Sequence, residues 1–535
     1  MVHSRRLRWW AVLLTFVTVF YVACQQDEPA GDEAQPGPTA SATAIIGATA
    51  TPEPAVTQTP AAEATVRTGP EPPLFDAGWD DRSLFREGLI PSERGVLDQL
   101  SGASVYHIEM AISDDLTRLE GRQAVRYTNQ EDVPLDQVYF RLFPNLTGGT
   151  SRVEDVQVDG ETIDAHYELM DSALLVPLPQ PLDPGEQTVI EMAFDVTVPT
   201  SEGGNYGTFI YDNDVLALAH FYPLIPVYDD EGWNVEIPAE SGDVVYADSS
   251  FYLVRITAPA DLVMVVSGRE VEVEEVDGRQ EVTYAAGPAR DFYIAASERY
   301  EATTRQVGET TINGYSFPQF TGASELLLEH TVASVESFNR RFGLYPYTEL
   351  DVASTPTLAL GVEYPGAFVI TDRMVTQGSP YPPASVASTI AHETAHQWFY
   401  STVGNDQLDE PWLDEALAQY ATLQYWEDVE GPAGARGFRE SLEGRWARVD
   451  FADIPIGLPV AAYSPSEYGA IVYGRGPLFL GALEERIGEE SVDALLRDYY
   501  QSFRWQIATT ADFHQLAETH CECELDALFN EWVYR

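Results

Sequence analysis

The sequence contains no lysine, and basic residues of any kind are scarce. Its 30 arginines face 85 aspartates and glutamates, which gives a formal net charge of −55 over 535 residues. A chain this acidic repels both phosphate backbones and anionic lipid headgroups. The composition argues strongly against a nucleic-acid partner, and it favours a well-solvated acidic surface over a specific cation-binding role for these carboxylates.

Long apolar runs are also lacking. The apolar segment at residues 9–23 spans about fifteen residues, short of the roughly twenty that a spanning helix needs. It follows a basic stretch and ends directly before Cys24, a pattern that resembles a bacterial lipoprotein signal. We expect residues 1–24 to be such a signal peptide, with export and a membrane tether through lipidated Cys24. A plain secretory signal and an uncleaved anchor are the alternatives.

Residues 25–73 have almost no large apolar side chains. Ala, Thr, Pro, Glu and Gly dominate this segment. Such a composition cannot bury a core, so we expect a disordered stalk.

The remaining sequence changes its pattern once, near residue 300. Before that point, strand-like alternation predicts a mainly β domain with a lead-in at residues 74–300, including a hairpin around Asp277-Gly278. After it, helical periodicity at residues 324–342 ends at Gly343 and introduces a second unit at residues 301–535. The predicted fold class is therefore α+β with several domains.

An H-E-x-x-H motif, His392-Glu393-Thr394-Ala395-His396, lies in this second unit. On a helix, positions i and i+4 share one face, so the two imidazoles can reach one ion. Glu393 lies beside that ion rather than facing it, where a base for a water molecule is needed.

Glu415 follows His396 after a spacer of eighteen residues. Catalytic zinc takes three protein ligands, and Glu415 is the natural third, on a second helix beginning near Asp409 or Pro411. The alternative is that the two histidines are ordinary packing residues of an apolar helix. The combined pattern favours one Zn²⁺ held by His392, His396 and Glu415.

These residues also carry a family resemblance. The stretches HETAHQWF and PWLDEALAQY resemble the core of the aminopeptidase N family, the gluzincin aminopeptidases. Leu360 to Tyr364 (LGVEY) is similar to the family block G-A-M-E-N, and Tyr473 to Gly476 (YGRG) is similar to Y-x-K-G. The resemblance implies a saddle-like antiparallel β domain followed by a thermolysin-like α/β catalytic domain. We expect no C-terminal helical domain after it, although many family members carry one.

The resemblance also assigns roles to single residues. Glu363 matches the glutamate that binds the substrate's free α-amino group, and Gly361 and Tyr364 belong to the same substrate-binding block. Tyr473 matches the tyrosine that stabilises the oxyanion. This chain departs from the family at Val362 and Tyr364, which replace methionine and asparagine, and at Arg475, which replaces lysine.

Two further residues are expected near the site. Asp414 adjoins Glu415, but consecutive helical residues diverge by about a hundred degrees, so we expect it to support the ligands rather than bind metal. Tyr468 lies five residues before Tyr473 and is a weaker candidate for shaping the same pocket.

We expect a zinc-dependent aminopeptidase that removes the first residue of peptides with a free N-terminus through a zinc-activated water. A zinc endopeptidase of the same fold and a surface-tethered, non-catalytic binding module are the alternatives. The sequence specifies neither the preferred N-terminal residue nor the oligomeric state.

The other histidines and the last two cysteines receive no catalytic role. His107, His166 and His220 have unrelated spacings and are expected to be packing or surface residues. Cys521 and Cys523, with His514 nearby, allow a small metal site, but we expect free or locally bonded cysteines.

Overall fold

The computed structural model describes residues 73–201 and 205–534. The predicted signal peptide with Cys24, and nearly all of the predicted stalk, lie outside the described residues. Within these two ranges, no helix combines the length and the apolar character needed to cross a bilayer. Residues from Pro73 onwards form one compact unit.

The first part of this unit is built from strands. In chain order, β1–β17 are Val105–Ile112, Arg118–Thr128, Leu135–Arg141, Thr150–Val158, Glu161–Thr162, His166–Glu168, Ala173–Leu182, Gln187–Thr197, Phe209–Asp212, Val215–Leu218, Tyr228–Asp229, Gly232–Trp233, Ser250–Pro259, Val263–Val266, Arg269–Val276, Arg279–Ala289 and Ile294–Ser297. The main sheet has eight strands in the order β15-β16-β13-β1-β2-β8-β4-β5. Alternating burial along β8 shows why the sequence favours a strand there, with one face on the core and the other half-exposed.

Most neighbouring strands of this sheet are antiparallel, as the resemblance implies. The exception is the pair β1 and β13, which is parallel. The predicted hairpin is confirmed: β15 and β16 pair through Asp277-Gly278, both with positive φ, the backbone that a two-residue turn of type I′ requires.

A second, mixed sheet opens the catalytic half. Strands β18–β22 are Glu301–Val307, Thr310–Ser316, Glu349–Thr355, Gly361–Tyr364 and Ala367–Thr371, in the order β18-β19-β20-β22-β21. From Leu358 to Thr371 the sequence predicts one edge strand that is interrupted at Pro365-Gly366, because proline is tolerated at sheet edges. The structure instead has a hairpin, in which β21 is the edge and runs antiparallel to β22.

Helices make up most of the chain after residue 372. The helices α1–α11 are Val96–Gln99, Ala323–Arg341, Asp372–Val375, Pro383–Ala395, Trp412–Glu430, Pro432–Trp446, Pro465–Ala470, Gly476–Ile487, Glu489–Ser502, Thr510–Cys521 and Asp526–Trp532. A π-helical turn, Ile471–Arg475, precedes α8, which has Pro477 in its first turn, where proline is well tolerated. The C-terminal part of the described chain is thus itself helical, so the expectation of no C-terminal helical domain is not supported.

The lead-in at residues 74–100 packs on both halves rather than on the β part alone. Leu89 is fully buried and bridges to Tyr347, and the amide of Ile90 donates to the carbonyl of Pro346 in the catalytic half. On the other side, Trp79 stacks on His107 of β1. This segment therefore joins the two halves, which sequence patterns alone did not indicate.

Candidate metal centre

Two buried helices, α4 and α5, bring the predicted ligands together. The apolar residues Ile390, Ala391 and Ala395 are fully buried, and they press α4 into the core. Helix α5 is buried from Trp412 to Trp426, and its start at Trp412 agrees with the expected boundary. Because both helices are buried, His392 and His396, one turn apart on α4, can meet Glu415 of α5 inside the protein.

The three predicted ligands form a tight triangle. His392 Nε2 lies 3.2 Å from His396 Nε2 and 3.1 Å from Glu415 Oε2, and the third side measures 3.5 Å. Zinc ligands lie about 2.0–2.2 Å from the ion, so donors with these separations can share one. Glu415 Oε2 is buried and has no hydrogen-bond partner among the described residues. Two imidazoles and a carboxylate are a donor set that suits Zn²⁺.

The environment sets the charge on each ligand. Burial lowers the pKa of His392 to about 4, although Glu415 opposes the shift, so this imidazole is neutral as metal binding requires. Burial raises the pKa of Glu415, but its contacts with both histidines outweigh burial and bring the pKa below its ordinary range. Burial lowers the pKa of His396, but the neighbouring Glu363 raises it, and the net pKa is well above the ordinary value of a histidine.

A backbone carbonyl fixes the tautomer of His396. Its Nδ1 lies 3.1 Å from the carbonyl oxygen of Phe399. A carbonyl can only accept, so Nδ1 carries a proton and Nε2 is the nitrogen left for a metal, whose binding releases any proton held there. No sequence pattern indicates this contact, because the position of the Phe399 carbonyl depends on the turn after α4.

Glu363 and Glu393 lie side by side next to the ligands. Glu363 Oε1 is 3.9 Å from His396 Nδ1, and the Glu363 side chain is 6% exposed. Burial raises the pKa of Glu363 to about 8, with His396 opposing the shift. Burial, and then the neighbouring Glu363, raise the pKa of Glu393 well above its ordinary value. Each carboxyl therefore holds a proton readily in this setting.

The hairpin that carries Glu363 fits closely on α4. A Cβ added to Gly361 would lie 2.5 Å from Cγ and Oε1 of Glu393, so only glycine allows β21 to approach that side chain. The ring of Tyr364 is 2% exposed and stacks on Tyr293 at 3.7 Å. The side chain that departs from the family block is thus anchored in the core.

Gln397, one residue after His396, holds this hairpin. Its Nε2 donates to the carbonyl of Tyr364 at 2.9 Å, and its Oε1 accepts from the amide of Gly366 at 3.0 Å. No sequence pattern indicates this role of Gln397, because the hydrogen bonds form only when β21 packs on the end of α4.

The predicted tyrosines and Asp414 also reach the site. Tyr473 donates a hydrogen bond to Oε1 of Glu415, and burial, then Glu415, raise the pKa of its phenol. The ring of Tyr468 lies edge-on to that of Tyr473, 5.6 Å between centroids. Asp414 accepts a hydrogen bond from Gln407 at 2.9 Å and from the amide of Glu415 at 2.6 Å. Asp414 therefore supports the start of α5.

A cavity of about 30 Å³ adjoins Glu363 and contains residues that sequence analysis missed. Its lining includes Asp243, whose pKa is raised first by burial and then by Glu415. His220 also lines it and pairs with the fully buried Asp291 at 3.0 Å. The β part thus contributes side chains to the cleft, and His220 is a packing residue, as expected.

The remaining predicted sites behave as ordinary structure. Cys521 and Cys523 form a disulfide, the locally bonded alternative. His514 lies 3.5 Å from Glu518 and 3.9 Å from the exposed Asp526, and its ring stacks on Phe529.

Comparisons with known proteins agree with this site. Residues 326–532 match the Peptidase family M1 domain. The chain is 24% identical over 294 residues to probable aminopeptidase 2 of Sulfurisphaera tokodaii, covering 50% of this chain and 36% of that protein. It is 24% identical over 289 residues to aminopeptidase 2 of Candida albicans, covering 50% and 30%. The chain thus spans about a third of the length of these curated relatives.

Solved structures share the fold. The crystal structure of an M1 zinc metallopeptidase from Deinococcus radiodurans is 21% identical, with a TM-score of 0.57 over 80% of this chain and 93% of that one. A mutant of that enzyme gives a TM-score of 0.59 at 20% identity, over 81% and 93%. Residues 326–532 of this chain thus match a peptidase family M1 domain, and the chain is similar to zinc metallopeptidases of the aminopeptidase N family.

Proposed function

We propose that this protein is a zinc aminopeptidase that cleaves the first peptide bond of peptides with a free N-terminus. The observation that carries the proposal is the placement of Glu363. This carboxyl lies on the edge strand β21, 6% exposed, 3.9 Å from a ligand of the metal triangle. A carboxylate at that place anchors a substrate ammonium group, and an edge strand offers unpaired backbone groups to an extended peptide.

His392, His396 and Glu415 hold the zinc ion in this proposal. When bound, the ion supplies a Lewis acid next to the scissile carbonyl and makes a water molecule more acidic. Glu393 takes the proton of the attacking water and gives it to the leaving amine. Burial and the neighbouring Glu363 raise the pKa of Glu393, which favours its taking up the proton of the water.

Tyr473 is the second catalytic residue of the proposal. Its hydroxyl lies at Glu415 and remains protonated, because burial raises its pKa. A fixed phenol at this position donates to the oxyanion that develops as the carbonyl is attacked, and so stabilises charge that the ground state does not have.

Similar proteins support this assignment. Several are aminopeptidases, and one solved M1 metallopeptidase from Deinococcus radiodurans is bound to the peptide Tyr-Ser-Ala. Because this chain spans only part of the curated relatives, substrates and partners are proposals here. The thermolysin-like description of the catalytic half belongs to the same proposal.

The test compares matched substrates with and without metal. Purified protein is assayed on a panel of aminoacyl amides and on one peptide together with its N-acetylated twin. We expect turnover of the free amines that a chelator abolishes and that added zinc restores, and at least a hundredfold preference over the N-acetylated peptide. Glu363→Gln should lose most of that preference, because an amide cannot ionise to pair with the ammonium group as the carboxyl can when the substrate binds.

Two results contradict the proposal. Equal cleavage of the free and acetylated peptides assigns the protein to the endopeptidases. Stoichiometric zinc without hydrolysis of any substrate assigns it to the non-catalytic binding modules.

We also propose export and a membrane tether through a lipidated Cys24. The support is the order of basic residues, apolar segment and cysteine in the sequence, and these residues lie outside the described ranges. Metabolic labelling with a fatty-acid analogue tests it: the label should enter the wild-type protein and be absent from Cys24→Ala. Labelling of neither protein refutes the lipid anchor.

A further inference from the structure

Arg290 is a buried arginine that joins the β half to the turn following the metal-ligand helix. It lies just after β16 and is 2% exposed. Its Nε donates to the carbonyl of Tyr400 at 3.0 Å, and its two terminal nitrogens donate to the carbonyls of Ala247 at 3.1 Å and Gln506 at 2.5 Å. Three backbone segments distant in sequence therefore meet on one guanidinium.

The turn that Arg290 reaches is the one that orients His396. Tyr400, whose carbonyl Arg290 holds, directly follows Phe399, whose carbonyl faces His396 Nδ1 at 3.1 Å. Tyr400 has φ +113°, a backbone conformation that a non-glycine residue keeps only when its surroundings enforce it. The amide of Ser401 also returns to the carbonyl of His396 at 2.9 Å.

The backbone at Gly404 packs directly against the guanidinium of Arg290. A Cβ added to Gly404 would lie 2.2 Å from Cζ of Arg290, so a side chain at this position would collide with the arginine. Gly404 pairs with the segment that carries Gln506, and its amide donates to the Gln506 carbonyl at 2.9 Å. The arginine thus binds both sides of this pairing.

We propose that Arg290 is a positioning residue for the zinc ligand His396. By holding the carbonyl of Tyr400, it fixes the adjoining carbonyl of Phe399, which sets the tautomer and ring orientation of His396. Contacts behind a ligand histidine change metal affinity by about 10–100-fold when lost. The inference rests on the zinc site of the proposed function, but it concerns metal binding rather than turnover.

The test measures zinc affinity without measuring activity. Chelator competition gives the zinc dissociation constant of the wild type, Arg290→Lys and Arg290→Gln, and the visible spectrum of the cobalt-substituted proteins reports ligand geometry. We expect both variants to bind zinc about tenfold more weakly, with an altered cobalt spectrum. Unchanged affinity and spectrum in folded variants would overturn the proposal.

Arg141→Lys is the matched control. Arg141 is also a buried arginine of the β half, 4% exposed, that donates to a backbone carbonyl, that of Glu236 at 2.7 Å, without touching the turn after α4. We expect its zinc affinity to stay within twofold of the wild type. An equal loss in both variants would overturn the proposal, because it would reflect only the cost of changing a buried arginine.

Hydrogen exchange on the wild type keeps the test decisive if the variants do not fold. Linkage requires zinc to stabilise the turn that orients its ligand, so the amides of residues 400–404 should exchange more slowly with zinc than after stripping. Identical exchange in both states refutes the inference. If the Arg290 variants bind zinc more weakly as expected while no aminoacyl substrate is cleaved, the proposed function fails and Arg290 keeps its role.

Discussion

At the scale of single residues, the site is a set of buried acids whose charges are decided by their neighbours. Glu415, in contact with both histidines, has a lowered pKa, whereas Glu363 and Glu393, one beside the other, have raised values. Carboxyl groups that share a buried site cannot all ionise. Glu415 is therefore the ionised metal ligand, whereas Glu363 and Glu393 tend to hold protons. The same residue types thus serve different tasks because of position alone.

Replacing Glu393 by glutamine should abolish turnover while leaving the metal site intact. The amide has nearly the same shape but cannot take a proton, so we expect kcat to fall by about 10²–10⁴-fold. Zinc content, measured by mass spectrometry, should stay at one per chain. Full activity of Glu393→Gln would remove this residue from the mechanism.

Gly361→Ala tests the close approach of β21 to that base. The added methyl group would lie 2.5 Å from the Glu393 side chain and displace it, and a displacement of about 1 Å can cost around a hundredfold in rate. We expect kcat to fall with zinc affinity unchanged. Gly444→Ala on α6 is the control: nothing lies within 4 Å of its added Cβ, so activity should persist. Equal activity in both variants would contradict the prediction.

At the scale of elements, short connecting segments do as much as the ligand helices. The turn after α4 orients His396, Gln397 holds the hairpin that carries Glu363, and the lead-in fastens the β half to the catalytic half. Each of these links consists of a few hydrogen bonds or ring contacts. One of these contacts, the stacking of Trp79 on His107 where the lead-in meets β1, involves a buried ring with a lowered pKa.

His107 should make docking of the lead-in sensitive to acid. The ring stacks on Trp79 at 4.3 Å, and burial, with Arg82 and Arg126 nearby, lowers its pKa from 6.5 to about 4. A lowered pKa in the fold means that stability is fully present above pH 6.5 and is lost as the pH falls towards 4. Urea unfolding should show a loss of about 2 kcal/mol between pH 7.5 and 5 that His107→Phe lacks.

The control for this prediction is His166, which lies exposed on the short strand β6. His166→Phe should keep the pH dependence of the wild type, because its ring makes no comparable buried contact. If His107→Phe also retains the wild-type pH dependence, the acid sensitivity comes from other groups.

At the scale of the whole molecule, charge is the dominant feature. A net charge of −55 repels itself in the compact state, and without lysine only arginines offset it. Many of these arginines pair with acids on the surface, for example Arg118 with Asp195 and Arg299 with Asp214. Such exposed pairs contribute little individually, so screening by dissolved ions matters more.

Sodium chloride should therefore stabilise the protein. Raising the salt from about 0.02 M to 0.5 M shortens the range of repulsion, and a gain of about 2 kcal/mol would raise the Tm of a unit of this size by roughly 2 °C. Differential scanning calorimetry measures this, with sucrose at equal osmolarity as the uncharged control. A Tm that does not change with salt, or that rises equally with sucrose, would contradict the prediction.

The chemistry of the centre could be predicted from spacing along the chain, because neighbouring positions on one helix must lie close together. Two histidines four residues apart on a helix must share a face, and a start near Pro411 places Glu415 on the first turn of the next helix. Strand alternation likewise predicted β1 and the β15–β16 hairpin, since half-buried strands leave a period of two in the sequence.

The surroundings of those ligands, by contrast, depend on packing between distant segments. Asp243 in the cavity, the Phe399 carbonyl on His396 and the buried Arg290 join segments that are far apart in sequence, and no periodicity records such contacts. The parallel pairing of β1 with β13 and the lead-in that bridges both halves are of the same kind. Spacing within one element fixes which donors can meet, whereas packing between elements fixes how they are held.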